Sequence, residues 1–231
     1  GLAGERDPAQ PLLTMYDGPA RVELSGATTA NWVAKSANLL VDGLGSPERV
    51  GLLLPLHWQA VSLLLAGVAS GATVVVAREA SELEGCDAAF VHEPYAVPAL
   101  DAGVDEVLAL SGHPLGAPCG PLPPLVADYA REVPSYGDGW SGPAPTAVRV
   151  EAAGAVVPVV PVPGLTSADR VLLSATFGDP DAVRLLLAVL TAGAGLVLLP
   201  TPDDVDVTKV AADECASRTS GITVEGIPSL G

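Results

Sequence analysis

The chain has 231 residues, 49 % of them hydrophobic, which suits one large domain or two small ones and supplies enough apolar content for a real core. Its 27 acidic side chains against 11 basic ones give a formal charge of −16, and a field of that sign repels nucleic acid and anionic membrane, so neither is an expected partner. The apolar runs at residues 52–55 and 185–190 are far shorter than the roughly 20 residues that cross a bilayer, and no basic region followed by an apolar block opens the chain, so a cytoplasmic protein is expected.

Gly1 stands where an initiator Met would, which suggests an added residue, so residues 1–11 carry no fold argument. Thr28 is placed to cap a helix running to about Asp42, since Val33, Ala37, Leu40 and Leu44 fall at helical spacing and Gly43 and Gly45 punctuate its end. Val50–Pro55 then lacks the polar alternation of an exposed strand, as expected where helices cover both faces of a parallel sheet. Residues 58–70 read as a crossover helix closed by Gly71, followed by a second buried strand ending near Val76.

Residues 87–91 and 107–110 read as further short strands, with Pro94 and Pro98 marking the break between them. Eight prolines and six glycines fall in residues 112–146, so this stretch is expected to be a long surface connection with one helical turn around residues 125–132. Residues 148–150 and 156–162 are β-prone but interrupted by Pro158 and Pro161, which predicts edge strands or extended chain. The sentence of residues 46–76 then repeats about 121 residues later: Ser46-Pro-Glu-Arg-Val returns as Ser167-Ala-Asp-Arg-Val, and Leu63-Leu-Leu-Ala as Leu185-Leu-Leu-Ala. Each copy predicts a β-α-β unit, the second helix closing at Gly193. Residues 205–218 read as a last helix and 222–225 as a last strand.

The expected architecture is an α/β protein of two repeated β-α-β units forming mostly parallel sheets flanked by helices. Along the chain this divides into a first α/β unit over 12–111, a Pro/Gly-rich connection with edge strands over 112–166, and a second α/β unit over 167–231.

These residues resemble the N-terminal half of the adenylate-forming superfamily, which includes acyl- and aryl-CoA ligases, luciferases and nonribosomal peptide adenylation domains. Ala37-Asn38-Leu39-Leu40, Arg49-Val50 through Pro55, and Gly71-Ala72 are similar to that family's opening helix, strand and helix-strand elements. Asp169-Arg170-Val171-Leu172, Gly193 through Pro200, and the tail Ile222-Thr223-Val224-Glu225-Gly226-Ile227-Pro228-Ser229 match its second unit and the strand after it. The resemblance covers residues 27–230 through motifs that are structural.

The departures bear on activity. By the resemblance, ATP phosphates are held by a Ser/Thr- and Gly-rich loop ending in Pro-Lys-Gly, where backbone N–H groups and hydroxyls cradle oxygens and a lysine offsets charge. The equivalent stretch, residues 135–157, contains no lysine, and its glycines sit beside Asp138. The His usual in the second unit's strand-helix turn is missing from residues 173–180. The chain also stops before the family's adenine-binding segment, its Tyr-Gly-x-Thr-Glu motif, its ribose-binding Asp and its C-terminal lid with a catalytic lysine. The resemblance therefore implies a shortened, non-adenylating relative.

Several short patterns imitate sites. Residues 137–142 satisfy G-x-G-x-x-G, but Pro143 and Pro145 follow where a dinucleotide fingerprint needs a helix, so they read as a turn-rich loop. Residues 219–223 imitate a phosphate loop yet join a helix to a strand, the reverse of the required order, and read as a capping turn. Ser141 narrowly misses G-x-S-x-G with no apolar strand before it. His57, His92 and His113 stand alone in sequence: His57 opens the first crossover helix, where packing or a cap contact is the simpler role, and His92-Glu93 ends a strand. Asp203, Asp204 and Asp206 suit the positive start of the last helix. Cys86, Cys119 and Cys215 are odd in number and widely spaced, which indicates neither a disulfide framework nor a zinc site.

No catalytic residue and no metal ligand is assigned, cofactor-binding residues are left unassigned, and no cofactor is expected. The leading expectation is an inactive adenylate-forming relative acting through binding or assembly. The alternatives are a small-molecule module, for an acyl group or a nucleotide, using the crevice at the strand ends, and half of a split acyl-CoA ligase completed by a partner chain. Loss of a second half would expose an apolar face, so a homo-oligomer or a partner protein covering that face is expected.

Overall fold

The computed structural model describes residues 7–230, so the reading of Gly1 lies outside it. Residues 8–11 do take part in the fold: the carbonyls of Pro8 and Gln10 accept the N–H groups of Ala27 and Gly26 at 2.8 and 3.0 Å. Pro11 opens β1 (Pro11–Asp17), which turns back at once into β2 (Ala20–Ser25), a hairpin the sequence reading passed over. Helix α1 (Gly26–Asn38) follows directly and is capped by Ser25, whose hydroxyl accepts the Thr28 N–H at 3.1 Å. The cap sits three residues before Thr28 because Ser25 ends the hairpin in extended conformation, the backbone state an N-cap requires. The helix also ends sooner than Asp42, passing at Leu39–Gly43 into a single π-helical turn.

The first predicted unit forms as β3 (Arg49–Leu53), α2 (Trp58–Ser70) and β4 (Thr73–Val76), with Gly71 closing α2 at φ 86°. Strands β5 (Ala88–His92) and β6 (Glu106–Leu110) follow. Between them lies α3 (Ala96–Asp101), which the sequence reading took for a break. Pro94 and Pro98 fall within first turns, a 3-10 turn and α3 itself, where a missing N–H costs nothing. The Pro/Gly-rich stretch is less irregular than predicted, because residues 125–132 form a strand, β7 (Val126–Asp128), and only then one helical turn, α4 (Tyr129–Glu132). Of the two edge strands expected near here, β8 (Val150–Ala152) is paired on both sides, with β4 and β9 (Ala155–Val156), so only β9 lies at the edge; residues 157–169 belong to no strand or helix.

The second unit is β10 (Arg170–Leu173), α5 (Pro180–Thr191) and β11 (Gly195–Leu198). The last helix, α6 (Val207–Asp213), is half the predicted length, and the last strand, β12 (Arg218–Ser220), replaces the one expected at 222–225. The chain turns after Asp213 because Arg218–Ser220 pairs with β10, a register that local periodicity does not report. Residues 219–223 therefore leave a strand rather than join a helix to one.

Seven strands form one sheet in the order β7-β6-β5-β3-β4-β8-β9, and five form the other in the order β12-β10-β11-β1-β2. All pairings are parallel except β1–β2 and β8–β9. Sheet membership cuts across the sequence ranges: the β1–β2 hairpin joins β11, while β7, β8 and β9 extend the first sheet.

Each buried strand sorts its side chains two ways. On β5 and β6, Phe90, Leu108 and Leu110 face the central core, whereas Ala89, Val91, Val107 and Ala109 pack on the outer side with α3. On β10 and β11, Val171, Leu173, Leu196 and Leu198 face the same central core while Leu172 and Val197 meet α6. The two sheets thus share one core filled by α1, α2 and α5, and continuous apolar strands are what two covered faces demand. Helix α2 is buried from Trp58 through Val68, so it is apolar all round. Burying Leu63 and Leu64 contributes roughly 1.5–3 kcal/mol each. Gly67 lets this helix sit against β4, since a Cβ there would lie 2.5 Å from Val74.

Candidate functional site

The carboxyl ends of β3, β5 and β6 meet at one edge of the first sheet, the end where parallel sheets present ligand-binding loops. Three histidines that stand alone in sequence converge there. His57 caps α2, its Nδ1 accepting the Gln59 N–H at 3.1 Å. With Nδ1 an acceptor, the neutral ring carries its hydrogen on Nε2, and that buried atom has no hydrogen-bond partner although the residue is only 5 % exposed. Burial lowers the His57 pKa to about 4. The His113 carbonyl opposes the shift without reaching hydrogen-bonding geometry, while His113 and His92 add weak charge repulsion. The imidazole is therefore neutral near pH 7 and is a donor rather than a base.

A cavity of about 10 Å³ lies beside it, walled by Leu54, Pro55, His92, Leu110 and Gly112. That space admits about one water, so the crevice is packed nearly shut. The loop after β6 does the closing. Trp58 donates its indole N–H to Pro114 O at 2.8 Å, and Ser111 donates its hydroxyl to Ala117 O at 2.6 Å. Gly112 adopts φ 71° so closely over His92 that a Cβ would come within 2.8 Å of its Nε2. Among the described residues no group of three or more His, Cys, Asp or Glu is arranged to hold a metal ion.

The stretch matched by resemblance to a phosphate loop, residues 135–157, takes a different form. Its first part is drawn onto α1: Lys35 donates Nζ to the Tyr136 carbonyl at 2.6 Å, and Asn38 donates to the carbonyls of Gly137 and Gly139 at 2.9 and 3.1 Å. The chain's other lysine, Lys209, pairs with Asp213. The second part is the β8–β9 hairpin, closed by Ala153 and Gly154 alone, both at positive φ (50° and 73°). Both residues of such a turn need positive φ, the signature of type I′ geometry. Glu151 on this hairpin is tied to Arg49 by two hydrogen bonds. The G-x-G-x-x-G residues 137–142 and Ser141 lie in the irregular part, with no strand before and no helix after. In the turn after β10, Asp179 caps α5, and Gly178 packs so tightly on the end of β4 that a Cβ would meet Ala77 O at 2.8 Å.

A second cluster, unread in the sequence, lies on the other sheet. Glu214, its side chain 4 % exposed, accepts hydrogen bonds from Tyr16 OH at 2.7 Å and Arg21 Nε at 2.8 Å, and pairs with Arg170. Burial alone raises its pKa, but the hydrogen bonds from Arg21 and Tyr16 and the charge of Arg170 outweigh burial and hold it below the ordinary carboxylate value. Asp169 beside it is likewise held low: burial opposes, while the Ser217 hydroxyl, Thr166 and the Arg218 charge prevail. Such ionised, saturated carboxylates are anchors, not acids. Glu214 follows α6 by one residue and carries no local pattern, so only its long-range partners mark it.

Cys86 and Cys119 are buried, and burial pushes each thiol up to about 11, while Cys215 is exposed. Asp206 caps α6 through the Lys209 N–H at 3.0 Å, as its position suggested. A polar groove of about 520 Å³ runs along the amino-terminal edge of β3 and β4 past Arg49 and Arg149. Arg49 is held by Glu151, and Arg149 donates to Gly71 O. No helix is long and apolar enough to cross a membrane among the described residues.

No family model matches the chain. A TIGR03089 family protein of Mycobacterium tuberculosis (strain ATCC 25618 / H37Rv) is 39 % identical over 228 residues, covering 92 % of both chains. Among solved structures, the Brucella canis acyl-CoA synthetase superposes with a TM-score of 0.76 at 16 % identity, over 94 % of this chain and 46 % of that one. Apo MatB from Rhodopseudomonas palustris gives 0.69 at 15 % identity over 94 % and 47 %. The amide bond synthetase McbA from Marinactinospora thermotolerans gives 0.64 at 20 % over 91 % and 45 %. The fold is that of the N-terminal part of acyl-CoA synthetases, and the chain spans less than half the length of these solved structures.

Proposed function

The chain belongs to the TIGR03089 family, and from that premise we propose that it is a non-adenylating relative of AMP-dependent ligases that acts by binding, most directly by binding another protein. The observation that carries this reading is the form of residues 135–157. Where the resemblance calls for backbone N–H groups and a lysine facing phosphate, this chain offers carbonyls bonded to Lys35 and Asn38 and a two-residue hairpin. A hairpin closed in two residues leaves no arc of donors wide enough for a triphosphate.

Protein binding is favoured over a small ligand at the strand ends because that crevice has room for about one water. It is also supported by exposed apolar side chains, with Leu125 85 % and Leu115 71 % exposed near the edge of the first sheet. The charge of −16 favours a partner that is neither nucleic acid nor anionic membrane, and a cytoplasmic setting remains part of the proposal.

The test is ATP–pyrophosphate exchange by the purified chain with a panel of carboxylic acids, beside thermal shifts with Mg-ATP, AMP and coenzyme A. No exchange and no shift is the expected result. A ligand at 100 times its Kd would add about 2.7 kcal/mol, a shift easily read. Exchange above a heat-inactivated control would overturn the reading.

A further inference from the structure

The polar groove of about 520 Å³ at the amino-terminal edge of β3 and β4 falls in the size range of small-molecule sites, and its walls are fixed by the sheet itself. Thr73 donates its N–H to Glu48 O at 2.8 Å and Val74 donates to Arg149 O at 2.9 Å, which holds the segments carrying Glu48, Thr73 and Arg149 side by side. Arg149, on the groove wall, gives one guanidinium N–H to Gly71 O and leaves most of its donor fork unused. Every other arginine among the described residues pairs with a carboxylate, whereas Arg149 forms no ion pair, in a chain with 27 acidic side chains against 11 basic ones. The hydroxyls of Ser46 and Thr73, on the same wall, make no hydrogen bond among the described residues.

A guanidinium fork with no carboxylate of its own meets an incoming carboxylate or phosphate through two parallel charged hydrogen bonds. The other charges at the groove are already engaged. Two hydrogen bonds tie Arg49 to Glu151, and Asp87 accepts the backbone N–H groups of Glu48 and Arg49 at 2.8 and 2.9 Å. Exposed charges farther off than about 8 Å are screened at physiological ionic strength, so the formal charge of −16 acts only weakly inside the groove. Among the wall residues Glu48 alone is acidic. Its carboxylate repels a bare anion but accepts hydrogen bonds from hydroxyl groups, and the Ser46 and Thr73 hydroxyls both donate to and accept from them. The walls therefore suit a ligand with one oxyanion for Arg149 and a hydroxylated body for Ser46, Glu48 and Thr73.

We propose that this groove binds a small hydroxylated oxyanion, a sugar phosphate or a sugar acid, with Arg149 holding the anionic group. It lies at the opposite end of the first sheet from the His57 crevice, and the proposal goes beyond the protein-binding reading without depending on it. The isotope-labelled full chain is titrated by NMR with glucose 6-phosphate, gluconate, glucose and inorganic phosphate. The expected result is a saturable shift confined to residues 46–49, 70–73 and 149 with glucose 6-phosphate or gluconate, the tighter of the two identifying the anionic group as phosphate or carboxylate. Arg149→Gln keeps a donor for Gly71 O, so it should melt like the wild type yet bind about tenfold or more weakly, a loss that a purely structural cap would not produce. Ser46 sits at φ 62°, so Ser46→Gly relieves strain while removing a hydroxyl; it should weaken binding in a chain at least as stable, which keeps the test decisive if Arg149→Gln folds poorly. No saturable shift with either sugar oxyanion, or binding indifferent to both variants, would overturn the proposal. So would glucose or inorganic phosphate binding as tightly as the sugar oxyanions, the second outcome marking an adventitious ion only.

Discussion

The His57 ring accepts the Gln59 backbone N–H on Nδ1 and thereby turns a buried, unpartnered Nε2–H toward the closed crevice of the first sheet. One side chain both caps α2 and fixes its own tautomer, and its burial makes protonation costly.

Stability should therefore fall on mild acidification. The folded pKa of about 4 lies below the ordinary 6.5, so the unfolded chain takes the proton first. The contribution is full above about pH 6.5 and is lost as pH drops toward 4, with ~2 kcal/mol gone by pH 5. Glu214 and Asp169, whose pKa values are also depressed but from lower starting points, lose their contributions further into acid. His57→Asn keeps an acceptor for the Gln59 N–H while removing the titration. Urea melts at pH 7 and pH 5 should show the wild type losing that increment and the variant keeping most of its stability. Equal losses in both would rule out His57 as the source.

Glu214 anchors β1, β2 and β10 to the end of α6 through Tyr16, Arg21 and Arg170. Replacing it with Gln leaves Arg170, its side chain 15 % exposed, without its counter-charge. Removal of one partner from a buried pair costs about 3–5 kcal/mol. Asp213→Asn, which breaks an exposed pair with Lys209, should cost less than about 1 kcal/mol. Denaturant midpoints of the two variants measured side by side check the contrast.

Ala153 occupies a left-handed conformation at the β8–β9 turn, where an L-residue with a Cβ is strained and Asn-Gly is the favoured pair. Ala153→Asn should stabilise the chain by roughly 0.5–1 kcal/mol and raise Tm by about 2 °C. A melting temperature unchanged or lowered would count against the two-residue turn.

Legibility followed the range of the interactions. Helix α2 emerges at residues 58–70 as read, because an apolar run, a polar entry and Gly71 all lie within one segment. Helix α1 was found but displaced, because its cap, Ser25, ends a hairpin that the sequence reading passed over although its second strand alternates exposed Arg21 and Glu23 with inward Val22 and Leu24. The strand at 218–220 was read as a helix end followed by a capping turn, because its pairing with β10 lies 47 residues away in the chain. The candidate site was less legible still. His57, His92 and His113 each looked incidental, and only the parallel order β6-β5-β3 brings their loops to one edge.

The sequence by itself determined the two β-α-β units, their spacing and their apolar strands, since burial on both faces of a parallel sheet writes itself into local composition. Tertiary structure alone decided that the β1–β2 hairpin completes the second sheet, that the crevice at His57 is closed, and that Glu214 is held by three elements remote in sequence. Those outcomes depend on strand register and on charges meeting across long loops, and neither leaves a periodic trace in the chain.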